Sequence, residues 1–228
     1  MHNQQSFWQL NKAVVLFALV ALTMPLWFPL INGYSGLDTK IMIFCIFLVG
    51  FDILLGFTGY LSFGHAAFFG IAAYSTGLML KNFSDNIIPA IIVAVIAATL
   101  VAIVIGLLTL KRTGIYFSIL TLAFAEMFHS MAMAMLQTWT GGENGLTGMP
   151  TPMLFDIKMQ GSAVFYFTAI MAIILFYVAK RIERSPVGLM MKAIKCNQTR
   201  LEYTGINARK YKLLAFVISA MYAAVAGA

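Results

Sequence analysis

Residues 87–110 run for 24 positions without one charged side chain. A bilayer core about 30 Å thick is crossed by about 20 apolar residues in a helix. At that depth no water is available to backbone N–H and C=O groups, so the chain must close its hydrogen bonds within helices or within a closed barrel. Six further apolar runs accompany this one, at 13–31, 41–57, 66–80, 115–136, 163–179 and 213–228. Together they define an all-α, polytopic integral membrane protein of about seven segments. Composition agrees, with 61% apolar residues, 10% charged and a mean hydropathy of +0.88. A soluble domain carries roughly a quarter charged residues, so a water-soluble globule or a disordered chain is excluded.

The charges give an orientation. Between Lys180 and Lys212 stand nine cations and two acids, a surplus equal to the +7 of the whole chain. Between two apolar segments such a stretch reads as a cytoplasmic loop near anionic lipid rather than a nucleic-acid surface. With Lys12 inside, seven crossings bring Lys111, Arg112 and the 180–212 loop to the same side. The 137–162 loop, with Glu143, Asp156 and Lys158, falls outside. The 13–31 run is long for a signal-peptide core and reads as an anchor that stays in the protein. The last run counts only 16 residues, about 24 Å, and ends on Ala-Gly-Ala with no polar flank, the pattern of a chain truncated at its C-terminus.

The segment from Gly56 to Leu80 mixes glycine with polar residues in an apolar background. Ala66, Gly70, Ala73 and Gly77 follow 4-3-4 spacing and share one helix face. Such a face either seats a second helix closely or borders a substrate path built on a glycine-broken helix. Ionisable groups within the runs are costly at membrane depth, and three occur: Asp52, Glu126 and His129, with His65 near the start of a run. Glu126 and His129 lie three apart, on one face, as an interhelical hydrogen-bonded pair or as the lining of a polar path. Glu-x-x-His is also half of a di-iron carboxylate motif. That site needs a second such motif and two more Glu residues, and Asp52 is the only other acid at depth. Ser62 and His65 are adjacent by helical spacing, but no orienting acid makes them a catalytic dyad. Two cysteines, Cys45 and Cys196, form no metal-binding pattern. The run of alternating Met from Met131 to Met135 reads as adaptable packing. No Gly-Lys dipeptide occurs, so the chain has no Walker A loop. The expectation is a non-enzymatic protein with no cofactor and no metal.

Several blocks carry a specific resemblance. GYLSFGHAAFFG from Gly59 to Gly70, followed by Ala73 and Tyr74, is similar to the signature of permeases of branched-chain amino acid ABC importers. RTGIYF from Arg112, TLA from Thr121 and TGGENGL from Thr140 resemble that family's central region. ERSPVG from Glu183, Ala193-Ile194, GIN from Gly205 and YKL from Tyr211 resemble its cytoplasmic loop. The blocks keep the family's order from about residue 41 onward, and the RTGIYF block points to the M-type, LivM-like branch. The chain departs from the family at Asp52, where Asn is usual. It departs again at Cys196, Gln198, Arg200 and Leu201, where acidic and small residues are usual. The resemblance implies further C-terminal helices beyond residue 228.

The resemblance implies a single permease domain over 1–228 that translocates branched-chain amino acids across the bacterial inner membrane. It implies a second, H-type permease, two cytoplasmic ATP-binding subunits and a periplasmic substrate-binding protein as partners. It also implies an ATPase-coupling segment within the 180–212 loop, formed by Asn197, Gln198, Arg200, Glu202 and Gly205. Pro186 would start a helix there and Gly205 would end a second, shorter one. A zwitterion with an apolar side chain needs apolar walls and a few polar groups, for which Asp52, Ser62, His65 and Tyr74 are candidates. The loop from Trp139 to Asn144 is an external turn or a surface for the binding protein. Two alternatives stand: the same kind of permease carrying urea or short amides, favoured by Asp52, and an ion-coupled carrier or channel built on Asp52, Glu126 and His129.

Overall fold

The computed structural model describes residues 2–28, 36–154 and 157–228. Asp156 and the end of the first expected span, 29–31, lie outside these. Helix α1 covers His2–Trp27, α2 Leu37–Thr58, α3 His65–Asn82 and α4 Ile87–Thr109. Helix α5, Ile115–Ser130, runs on into one π turn, Met131–Met135. A short α6 (Gln137–Thr140) and a two-residue antiparallel hairpin of β1 (Met153–Leu154) and β2 (Ile157–Lys158) form the following loop. Then come α7 (Ser162–Glu183), α8 (Pro186–Tyr203) and α9 (Ala208–Gly227).

Among the described residues, five helices are long and apolar enough to cross a membrane: α2, α4, α5 with its π turn, α7 and α9. The expected count of about seven is therefore met for five. The apolar part of α1, Lys12–Trp27, is shorter. Helix α3 carries His65, Tyr74, Ser75, Thr76 and six alanines or glycines among its 18 residues. The last span differs from its sequence reading. Helix α9 starts at Ala208 and has 20 residues, about 30 Å at 1.5 Å per residue, which suffices to cross. Asn207 caps it, accepting from Lys210 N, so the basic residues 209–212 belong to the helix rather than to the loop before it.

The core forms where α2, α3, α4 and α9 meet. Helix α4 contributes Ala90, Ala94, Ala98 and Ala102, all fully buried and one turn apart, followed by Gly106. Small side chains at every fourth position let a neighbouring backbone approach closely, and in lipid this contact replaces the hydrophobic drive that packs soluble helices. A Cβ on Gly106 would lie 2.7 Å from Leu213 and 3.0 Å from Phe216 of α9. Between α2 and α9 the approach is closer, since a Cβ on Gly50 would lie 2.2 Å from the Tyr222 Cβ. Phe68, Phe117 and Phe216 interlock edge-to-face at the centre. A second cluster joins α1, α2 and α7 through Ala21, Met24, Ile46, Phe165 and Ala169.

Hydrogen bonds tie together the segment ends at each end of the bundle. On the basic end, Lys195 Nζ donates to Gly56 O at 3.0 Å and Arg209 donates to Leu107 O at 3.1 Å. On the other, Lys81 Nζ donates to Thr147 O at 3.2 Å and Met153 N to Asp85 O at 2.8 Å.

A half-open cavity and a cytoplasmic helix tip

Helix α5 is the least buried of the five spans. Its inner stripe, Phe117, Ser118 and Thr121, continues through Phe124 and Phe128, which pack on the core. Glu126 and His129 fall off that stripe and are exposed. They face a half-open cavity of about 480 Å³ between α3 and α5, walled by Ala66, Gly70, Ile71 and Tyr74 on one side. The π turn closes its outer end. Its Met131 and Ala132 line the cavity with Leu136, Trp139 and Thr140, while Thr140 Oγ1 donates to Ala132 O at 2.6 Å. Glu126 lies about 16 Å along α5 from its start, near the middle of a bilayer. No hydrogen bond joins Glu126 to His129 among the described residues. A carboxylate and an imidazole at that depth do not face acyl chains, because lipid offers neither counter-charge nor hydrogen bond. The face they occupy belongs to water or to another protein.

The small-residue face of α3 meets no close helix neighbour among the described residues. A Cβ on Gly70 would meet nothing within 4 Å, and Ala66 and Ala73 are exposed. Of the two readings of this face, a helix seam within the chain is not what the fold builds. Its Ala66 and Gly70 border the cavity, and only Gly77 is in tight contact, with Leu146 and Met149 of the outer loop. The buried stripe of α3 is His65, Phe68, Ala72 and Thr76.

The four residues considered as path lining are not brought together. Tyr74 reaches the cavity. His65 is 2% exposed within the core, where Phe51, Phe68 and Phe216 present their edges or faces to its ring. Its Nε2 lies 2.6 Å from Ser219 Oγ, and that hydroxyl donates to Gly50 O, also at 2.6 Å. With the serine proton committed to the carbonyl, His65 Nε2 carries the hydrogen of their bond. The pair therefore staples α3 to α9 and α2. Ser62, 1% exposed, is also enclosed, and its Oγ has no partner among the described residues. Asp52 opens on a separate groove between α2 and α7, beside Phe176, Lys180 and Glu183. Glu126 and His129, set apart from these four on sequence grounds, share the cavity with Tyr74.

The second feature is α8. Ser185 caps its start, accepting from Gly188 N, and Pro186 occupies the first turn. At Asn197 the backbone leaves helical geometry, with φ −164° and ψ 98°. Asn197 Oδ1 accepts from Arg200 N at 2.9 Å, so the residue caps a second short helical stretch that begins at Gln198. After Tyr203 the chain turns at Gly205, whose φ of +84° suits glycine. Asn197, Arg200, Glu202 and Gly205 are exposed on this tip, and Tyr203 projects with 87% of its surface free. Gln198 is half-buried. It turns inward to Tyr60 and Lys212 and donates from Nε2 to Glu202 Oε1 at 2.8 Å.

Bundled apolar helices around a half-open, mostly apolar cavity that holds Glu126 and His129, with a basic helical tip on one side, are the parts a membrane permease needs. The family described as branched-chain amino acid transport system / permease component matches residues 33–228, and the chain belongs to that family. It is similar to the high-affinity branched-chain amino acid transport system permease protein LivM of Escherichia coli (strain K12), 26% identical over 241 residues that cover 95% of this chain and 56% of the relative. The protein of the same name from Salmonella typhimurium is 24% identical over the same coverage. The chain thus spans about half the length of these relatives. No solved structure matches it.

Proposed function

We propose that the chain is a permease subunit of an ATP-binding cassette importer that carries branched-chain amino acids across the bacterial inner membrane. The observation that carries this reading, beside family membership, is the cavity between α3 and α5. Its walls are apolar, and its only ionisable side chains are Tyr74, Glu126 and His129. A branched-chain amino acid is a zwitterion on a hydrocarbon body. Glu126 supplies an acceptor for its ammonium and His129 a donor for its carboxylate, while Ile71, Leu78 and Phe128 face the side chain. Asp52, which favoured a more polar cargo such as urea, opens elsewhere, so nothing at the cavity supports that alternative.

In this reading residues 1–228 form one transmembrane domain, and 180–212 its cytoplasmic loop. A second permease of the H type covers the open side of α3 and α5. ATP is hydrolysed on two separate cytoplasmic subunits that dock on Asn197, Gln198, Arg200, Glu202 and Gly205. A periplasmic binding protein delivers cargo at the outer loop, beside Trp139. The test is co-expression with the partner genes, purification in mild detergent and reconstitution into liposomes. Uptake of labelled leucine that requires both ATP and the binding protein supports the reading. Uptake by this chain alone, driven by a pH gradient, overturns it in favour of an ion-coupled carrier.

A further inference from the structure

Lys212 is the most enclosed cation of the described chain, 3% exposed, in the second turn of α9. Its position is doubly unfavourable. A buried ammonium demands compensation, and the N-terminal end of a helix carries a partial positive charge that repels it. No carboxylate pairs with Lys212 among the described residues. Its Nζ donates instead to Tyr60 Oη at 3.1 Å and to Gln198 Oε1 at 3.3 Å, and it lies 5.0 Å from the centre of the Tyr60 ring. Tyr60 Oη donates in turn to Gln198 Oε1 at 3.1 Å, closing a three-membered ring of contacts. The other end of the Gln198 amide donates to Glu202 on the exposed tip. A neutral amide thus stands between a buried cation and an exposed acid.

Each member of this ring belongs to a different part of the fold. Gln198 is the first residue after the bend at Asn197, and just before the bend Lys195 holds the longer part of α8 to Gly56 O. Tyr60 lies in the non-helical link between α2 and α3, and its ring meets Phe117 of α5 edge-on at 5.3 Å. Phe117 stands in the first turn of the helix that carries Glu126 and His129. We propose that Lys212, Gln198 and Tyr60 form a breakable latch that registers the cytoplasmic tip of α8 to the inner end of α5. When the tip swings about Asn197, Gln198 leaves Lys212. Tyr60 is then the sole remaining acceptor of the ammonium, and its ring shifts against Phe117. Lys212 is a positioning residue in this scheme and touches no cargo. A neutral acceptor suits the task, because a carboxylate in its place would hold the cation too firmly to let go. The mechanical role rests on the importer reading, whereas the latch itself does not.

The test sets two substitutions at one position against each other, in the complete complex reconstituted in nanodiscs and liposomes. Gln198→Leu removes the acceptor. Gln198→Glu supplies a carboxylate, made beside Glu202→Gln so that no like charge lies one turn on, with Glu202→Gln alone as reference. The latch predicts opposite shifts in Tm, down for Gln198→Leu and up for the carboxylate variant. It also predicts that both lose leucine uptake per ATP hydrolysed by about fivefold or more, the size of an ordinary coupling between sites. A merely structural contact predicts instead that the more stable variant transports at least as well per ATP. Tm shifts in the same direction, or failure of the carboxylate variant to fold, would overturn the latch. So would opposite Tm shifts with uptake per ATP unchanged in both variants. If the unsubstituted complex shows no ATP-dependent uptake, the importer reading fails, and the two Tm shifts alone then decide whether the latch exists.

Discussion

Gly50→Ala tests the packing on which the α2–α9 contact depends. The new Cβ would sit 2.2 Å from Tyr222 Cβ and 3.1 Å from Ser219 O. Neither neighbour is the end of a flexible side chain, so relief requires the helices to part by roughly 1 Å or more. A shift of that size carries the 2.6 Å bond from Ser219 Oγ to Gly50 O out of range. It also forfeits a quarter to a half of the dispersion energy along the seam, as a gap of about 1 Å does. The lost bond costs about 1 kcal/mol and the overpacking about 1–3 kcal/mol, against a gain of up to about 1 kcal/mol from replacing a helical glycine. The expected net loss is about 1–3 kcal/mol. Gly70→Ala is the internal control, because nothing lies within 4 Å of its Cβ. It should gain about 0.5–1 kcal/mol from helix propensity alone. Unfolding of the purified chain by titration with sodium dodecyl sulfate in mixed micelles, followed by circular dichroism, measures both. If Gly50→Ala is as stable as Gly70→Ala, the close approach of α2 and α9 is wrong and the reasoning fails with it.

Ser219→Ala removes both bonds of a hydroxyl that links α2, α3 and α9, and should cost about 1–2 kcal/mol in the same titration. Ala98→Leu, at a fully buried position of the α4 seam, should destabilise by about 1–3 kcal/mol. Leu100→Ala, on the outward face with 61% exposure, should change stability far less, which the same measurement checks. Glu183→Gln breaks partly exposed ion pairs to Lys180 and Lys192 at 2.9 and 3.0 Å; a loss of under about 1 kcal/mol that shrinks as salt is added is expected, and a large salt-independent loss would contradict it. If the proposed cargo site is right, Glu126→Gln lowers ATP-dependent leucine uptake by about tenfold and leaves Tm unchanged, since Glu126 makes no side-chain bond among the described residues and its proposed role is a charge-assisted bond to cargo.

Much of this protein was legible in the sequence because a bilayer permits so few solutions. A charge-free run such as 87–110 has no alternative to a helix, and the basic residues from Lys180 to Lys212 mark one side of the membrane wherever the helices pack. The start of α8 at Pro186 and its end near Gly205 follow from the backbone preferences of two residues. Even the seam of α4 could have been read, since alanine recurs at every fourth position from Ala90 to Ala102 and is followed by Gly106.

Only the tertiary structure decided which face of each helix meets which neighbour. Spacing placed Ala66, Gly70, Ala73 and Gly77 on one side of α3, but it could not say whether a helix or a cavity lay opposite. In lipid, no difference in hydrophobicity tells an inward face from an outward one, so periodicity loses the meaning it has in water. For the same reason His65 and Glu126 look alike as polar residues in apolar runs, yet one is sealed among phenylalanines and the other lines a cavity. Lys212 shows the limit most clearly. In the sequence it is the last of nine cations in a loop, and in the fold it is a buried charge held by two partners, one 152 and the other 14 residues away. Charge and hydropathy settle what enters the membrane, whereas the partner of each polar group depends on contacts between segments distant in the chain, which exist only once the helices have packed.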